Sequence, residues 1–138
     1  MIFKLLRLNV DVTDDDFNAI YPENIRKLSR KHWTPVSVAK QAATFLAERP
    51  GTRVLDIGSG AGKFCMIGAA HTRGHFTGVE QRYDLVELSH RLASLHQIGN
   101  TAFVHGNIRS VKFRSYDAFY FYNSFSKTST LPTRSTIR

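Results

Sequence analysis

The stretch Val54-Leu-Asp-Ile-Gly-Ser-Gly-Ala-Gly-Lys-Phe64 constrains this chain more than any other. Val54, Leu55 and Ile57 read as a buried strand, Gly58, Gly60 and Gly62 as a tight turn, and a helix opens at Lys63 or Phe64. A strand feeding a glycine-rich turn and a helix is how α/β proteins hold a nucleotide-like cofactor at the carboxyl edge of a sheet. Glycine lets the backbone approach a ligand where a Cβ would collide.

The rest of the chain supplies a matching frame. Residues 1–12 read as an extended lead or a weak helix. Thr13-Asp-Asp-Asp16 reads as a helix start with acids at the positive end of its dipole. A second helical piece runs from 23 to about 32, with Arg26, Lys27, Arg30 and Lys31 gathered on one outer side, as a solvated face or a substrate-facing patch. Thr34 as cap and Pro35 as first residue start an amphipathic helix to about 48, stopped by Pro50-Gly51. Strands follow at 52–57, 75–80, 101–105 and 116–122. Helices fall at about 63–71 and about 83–98, the latter with Leu85, Leu88, Leu92 and Leu95 on one face. Val111 and Phe113 suit a small edge segment. Strand and helix alternate, which implies a parallel sheet with right-handed crossovers. Residues 126–138 lack periodicity and read as a disordered tail.

The turn discriminates between cofactors. A dinucleotide fold places Gly-x-Gly-x-x-Gly beneath a pyrophosphate, whereas here Lys63 stands where the third glycine belongs. Asp56, at the strand end, would repel a pyrophosphate and suits an ammonium group. Glu80, at the end of the next strand, suits two ribose hydroxyls. A cofactor with a ribose, no phosphate and a cationic amino-acid end fits both acids, and S-adenosylmethionine is such a molecule. Lys63 reads as a surface lysine at a helix start, and Cys65, the single cysteine, as a small buried hydrophobe.

These residues resemble the class I S-adenosylmethionine-dependent methyltransferases over about residues 32–125. Val54–Gly62 resembles their first motif, Gly78-Val-Glu80 the acidic end of the second strand, and His105-Gly-Asn107-Ile108 the turn that meets adenine. Phe121-Tyr-Asn123-Ser-Phe125 resembles the fourth-strand motif of the amino-group enzymes, with Ser124 where proline is usual. Thr34-Pro35 resembles a segment that closes over the methionine end. The resemblance implies a three-layer, Rossmann-like α/β fold with helices on both faces and an N-terminal helical extension over 1–33. It assigns Asp56 and the turn Gly58, Ser59, Gly60 and Gly62, with Thr34, to the methionine portion. Glu80 goes to the ribose, Gln81, Asn107 and Ile108 to adenine, and Asn123 and Tyr122 to an acceptor nitrogen. The family sheet has seven strands in the order 3-2-1-4-5-7-6, and this chain supplies the part 3-2-1-4. The expectation is therefore a truncated methyltransferase domain at 34–125, with strand 4 an open edge prone to self-association.

Other readings stay open: a non-catalytic S-adenosylmethionine-binding module, or a nucleic-acid-binding protein driven by the basic helix at 23–32 with the glycine turn vestigial, a partner that the net charge of +8 permits. Asp56 and the glycine spacing argue against a nicotinamide oxidoreductase. Six histidines are scattered with no acid or thiol set, so no metal is expected. No signal peptide or membrane span is evident, and the single cysteine suits a reducing compartment, which points to the cytoplasm. The methyl acceptor is not named by the sequence.

Overall fold

The computed structural model describes residues 1–28, 33–123 and 133–137, with Asn123 and 133–137 described through their backbone. The strand β1 (Arg53–Ile57) pairs in parallel with β2 (His75–Glu80) on one side and with β4 (Ala118–Asn123) on the other. β3 (Thr101–His105) lies outside β2, so the expected order 3-2-1-4 is present. One expectation fails at the other edge. Residues 133–137, expected within a disordered tail, form β5 (Thr133–Ile137), antiparallel to β4. Backbone pairing with β5 satisfies the edge that was expected to stand open for self-association.

Register explains which side chains meet. In a parallel sheet paired residues share a face, and faces alternate along each strand. Val54, Phe76, Phe103, Ala118 and Tyr120 therefore lie on one face, and all are buried in a single apolar cluster. Against that cluster pack α4 (Val36–Leu46), α5 (Lys63–His71) and α6 (Tyr83–Leu95). Val36, Ala39, Ala43 and Leu46 are buried, as their helical spacing predicts. Every residue of α5 from Lys63 to Ala70 is buried, so this helix is the centre of the core rather than an amphipathic cover. Phe64 stacks on Tyr120 with centroids 3.9 Å apart and meets Phe76 edge-on at 5.7 Å. Across the opposite face, among the described residues, runs the β3–β4 connection, where Phe113 packs on Phe119 at 5.4 Å. Val111 and Phe113 form no edge strand, because the connection winds into short 3-10 turns at Ile108–Ser110 and Phe113–Ser115.

Residues 1–28 belong to the same core. The lead is helical, α1 (Ile2–Arg7), and buries Phe3 and Leu6. Thr13 caps α2 (Asp14–Asn18) by accepting the Asp16 N–H at 3.0 Å. Of the piece expected over 23–32, the described part holds the single turn α3 (Glu23–Arg26), and residues 29–32, with Arg30 and Lys31, lie outside the described residues. Thr34 does not cap α4. Its hydroxyl lies 3.1 Å from the Tyr120 hydroxyl, and the carboxylate of Asp14 accepts the Val36 N–H at 2.8 Å instead. α6 ends at Leu95, which is 73% exposed, because Gln97 turns at φ 57° and delivers Ile98 to the core in its place. No helix among the described residues is long and apolar enough to cross a membrane.

The Phe64–Tyr120–Phe76 stack generates a test. Phe64→Ala leaves a cavity where the sheet meets α5 and is expected to cost about 3–5 kcal/mol in urea unfolding. A loss below about 1 kcal/mol would mean that this stack does not anchor the core.

Candidate functional site

The carboxyl ends of β1, β2 and β4 and the residues after β3 converge on a cavity of about 580 Å3. Its wall brings together Thr34, Asp56, Gly58, Ser59, Gly60, Glu80, Gln81, Asn107, Ile108 and Tyr122. Two expected residues are not among the described wall. Gly62 lies behind the wall, and Asn123 is described only through its backbone in β4. Phe125 lies outside the described residues. The wall also includes residues that the spacing did not single out for the site, chiefly Lys63, Arg82 and Tyr120.

The glycine turn is tied down, mostly to β2. Gly58 and Ser59 N–H groups donate to the Val79 carbonyl at 2.9 and 3.0 Å, Gly62 N–H donates to Ser59 O at 2.9 Å, and Gly60 N–H donates to Glu80 Oε1 at 2.8 Å. A phosphate-binding turn works by offering such N–H groups to the ligand. Here those of Gly58, Ser59, Gly60 and Gly62 are committed to the protein, so the turn presents a rigid, closely approaching backbone. Gly62 has φ 82°, and a Cβ there would lie 2.8 Å from Ser89 Oγ and 3.0 Å from the Phe103 ring. It therefore performs the close-packing task that the dinucleotide pattern assigns to its third glycine, one residue earlier than Lys63. Gly78 does the same for β2, since a Cβ would meet Ser59 at 2.5 Å.

Asp56 is 4% exposed, and the Cys65 thiol reaches its Oδ2 at 3.9 Å. Burial pushes its carboxyl well above the usual range, the thiol opposes this, and the charge of Glu80 adds to it. Burial and the neighbouring Asp56 likewise push the Cys65 thiol up, which keeps it a protonated, unreactive group.

Glu80 is differently placed. Its Oε1 takes the Gly60 N–H, and its Oε2 accepts both the backbone N–H and the Nε–H of Arg82 at 2.9 Å. Burial alone would raise the Glu80 carboxyl. The bonds from Arg82 and Gly60 outweigh it together and hold the group below its ordinary value. The Glu80 side chain is 6% exposed and that of Arg82 is 55% exposed, so the guanidinium covers the acid from the solvent side.

Lys63 overturns its expected role as a surface lysine. Its side chain is 6% exposed and its Nζ lies 2.7 Å from Asp14 Oδ1. The reason is the N-terminal segment, which folds back over the turn: Tyr21 donates its hydroxyl to Ala61 O at 2.8 Å and meets Trp33 at 4.6 Å between ring centroids. Asn107 spends its side-chain oxygen on the Arg109 N–H at 2.8 Å, capping the first 3-10 turn, while half-exposed Ile108 offers an apolar side to the cavity. Among the described residues no group of three or more His, Cys, Asp or Glu side chains is placed to hold a metal ion.

Comparisons with known proteins bear on the domain as a whole. A family model described as a methyltransferase domain matches residues 48–128. A 23S rRNA (uracil(1939)-C(5))-methyltransferase of Vibrio parahaemolyticus is 37% identical over 71 residues, 51% of this chain and 16% of that protein. Among solved structures, EvdMO1 superposes with a TM-score of 0.50 at 21% identity, over 60% of this chain and 21% of the other. The YcgJ protein of Bacillus subtilis gives 0.48 at 27% identity, over 54% and 32%. The chain thus spans a minor part of the length of each of these proteins.

Asp56 provides the test of the site's electrostatics. Because its folded-state value is raised, the folded chain holds its proton after the unfolded chain has lost it. Stability contributed by that proton is present at low pH and is lost as pH rises from the ordinary aspartate value through the raised one. Asp56→Asn has no proton to lose, so it is expected to raise the melting temperature of the ligand-free chain at neutral pH by several degrees. That advantage should shrink toward pH 4. An advantage that does not vary with pH would show that Asp56 is not destabilised by burial.

Proposed function

The chain belongs to the methyltransferase-domain family, with the class I sheet order, and we propose that its cavity holds S-adenosylmethionine for methyl transfer to a nitrogen acceptor. One observation carries the reading. Two acids, Asp56 and Glu80, stand at adjacent strand ends on one cavity, beside a turn in which the N–H groups of Gly58, Ser59, Gly60 and Gly62 are already paired. Acids at these two points disfavour a phosphate there and favour a ligand with an ammonium group and ribose hydroxyls.

In this reading the Asp56 carboxylate, unfavourable when buried alone, receives the ammonium of the methionine end. Glu80 accepts from the ribose after its exposed partner Arg82 swings aside, while Gly60 N–H keeps the acid oriented. Ile108 lies against the adenine, flanked by Gln81 and Asn107, and Thr34 closes the methionine side. When bound, the cofactor supplies a methyl group on a sulfonium with a thioether as leaving group. The protein's task is to align the acceptor in line and exclude water. Tyr122 lines the cavity at the end of β4 and would flank the incoming amine, with Asn123 next to it to orient a neutral nitrogen.

A second reading of the acceptor, an RNA base, is favoured by the connection leaving the cavity at Asn107. It exposes Arg109, Lys112 and Arg114 together with Phe113, and has no acid before Asp117. The related Vibrio protein is, by its name, an rRNA methyltransferase.

Calorimetry with S-adenosylhomocysteine tests the cofactor: binding is expected for the wild-type chain and at least tenfold weaker binding for Asp56→Asn and for Glu80→Gln. A folded wild-type chain that gives no heat would contradict the assignment. Incubation with methyl-tritiated cofactor and separated RNA, protein and small-amine fractions then identifies the acceptor, and label confined to RNA would favour the second reading.

A further inference from the structure

A methionine-ended ligand brings two charges, and Asp56 answers one of them. The other is a carboxylate. Among the described residues that line the cavity, the cationic side chains are Lys63 and Arg82, and Arg82 sits on Glu80. Lys63 belongs to the first turn of α5, directly after the glycine turn, and shares the wall with Asp56 and Thr34. Its ammonium has three donors, of which Asp14 Oδ1 takes one at 2.7 Å. The rings of Phe17 and Trp33 lie 5.7 and 5.9 Å away and hold the head group from the apolar side.

Asp14 does not neutralise this cation on its own. The same Oδ1 accepts the Val36 N–H at 2.8 Å, and the Asp14 side chain is 49% exposed, so its charge is shared with a helix end and with water. Burial lowers the Lys63 ammonium from its ordinary value, and Asp14 works against that loss. Burying an ammonium is costly, and a half-exposed partner offsets that cost only in part. A tie between α2 and α5 alone could be made by a neutral donor at lower cost.

We propose that Lys63 is the receptor for the carboxylate of the ligand's methionine end, and that Asp14 is its positioning residue. The proposal rests on the S-adenosylmethionine reading above. The cavity then matches both poles of an amino acid, Asp56 for the ammonium and Lys63 for the carboxylate. Asp14 also joins α2 and the start of α4 to the ligand through one side chain.

The test pairs a deletion in the protein with a deletion in the ligand. S-adenosylhomocysteine and its decarboxylated analogue, which keeps the ammonium and lacks the carboxylate, are titrated by calorimetry into the wild-type chain and into Lys63→Met. The wild type is expected to prefer S-adenosylhomocysteine by about tenfold to a hundredfold. Lys63→Met is expected to lose that preference, with binding of the decarboxylated analogue changed by less than about threefold. Equal weakening of both ligands, or no weakening of either, would overturn the proposal, since a merely structural lysine cannot read the ligand's carboxylate. If Lys63→Met does not fold by circular dichroism, the wild-type comparison still decides: equal affinity for the two ligands overturns the role of Lys63. A wild-type chain that binds neither ligand removes the S-adenosylmethionine reading and this inference together, whereas equal binding removes this inference alone.

Discussion

The site depends on the central position of β1. Parallel pairing with β2 on one side and β4 on the other brings three strand ends to one edge, where the chain direction of the crossovers reverses. Asp56 pairs in register with Gly78 and Tyr120, and Ile57 pairs with Val79 and Phe121, so the acid, the turn and the fourth-strand aromatics are neighbours by backbone geometry alone. At the other edge of the sheet the Arg53 N–H and guanidinium bind the Asp117 carboxylate, which fixes where β4 starts beside β1. A slip of one residue would turn Tyr120 away from Phe64 and bring Phe119 into its place.

Burial of α5 follows from the same arrangement. The helix begins where the glycine turn ends, so the turn cannot move without disturbing the Phe64–Tyr120 stack beneath it. Gly62 permits the close approach, and the hydrogen bonds of Gly58, Ser59 and Gly60 to β2, with that of Gly62 to Ser59, leave the turn stiff. The site thus concentrates charge that a purely structural core would avoid: a buried carboxylate at Asp56, a braced one at Glu80 and a buried ammonium at Lys63. Unfavourable charges at a cavity wall are a mark of a binding site, because a ligand of complementary charge relieves them.

Local pattern made the frame legible. Apolar runs found the four parallel strands, period-3.6 spacing the helices at 36–46 and 83–95, and the glycine turn the helix at 63–71, and the position of each acid at a strand end was read directly. Long-range contacts were not. Lys63 read as a surface residue because its burial depends on Asp14, 49 residues earlier in the chain, and on the aromatic cover of Phe17 and Trp33. Thr34 read as a helix cap because capping is a local rule, whereas its hydroxyl is claimed by Tyr120, 86 residues away. Arg82 was missed although it lies two residues from Glu80. An arginine after a strand-end acid was a signal available in the sequence. The strand β5 was hidden because Thr133–Ile137 lacks the apolar alternation of a half-buried strand, and its pairing is carried by backbone hydrogen bonds to β4.

The central claim is that this cavity holds S-adenosylmethionine through Asp56 and Glu80, and a crystal structure grown with S-adenosylhomocysteine tests it most directly. The account predicts the ligand's amino group within hydrogen-bond distance of Asp56, its ribose hydroxyls on Glu80, and Arg82 moved off that acid. A ligand bound elsewhere, or a cavity occupied with Arg82 still seated on Glu80 and no contact to Asp56, would contradict it.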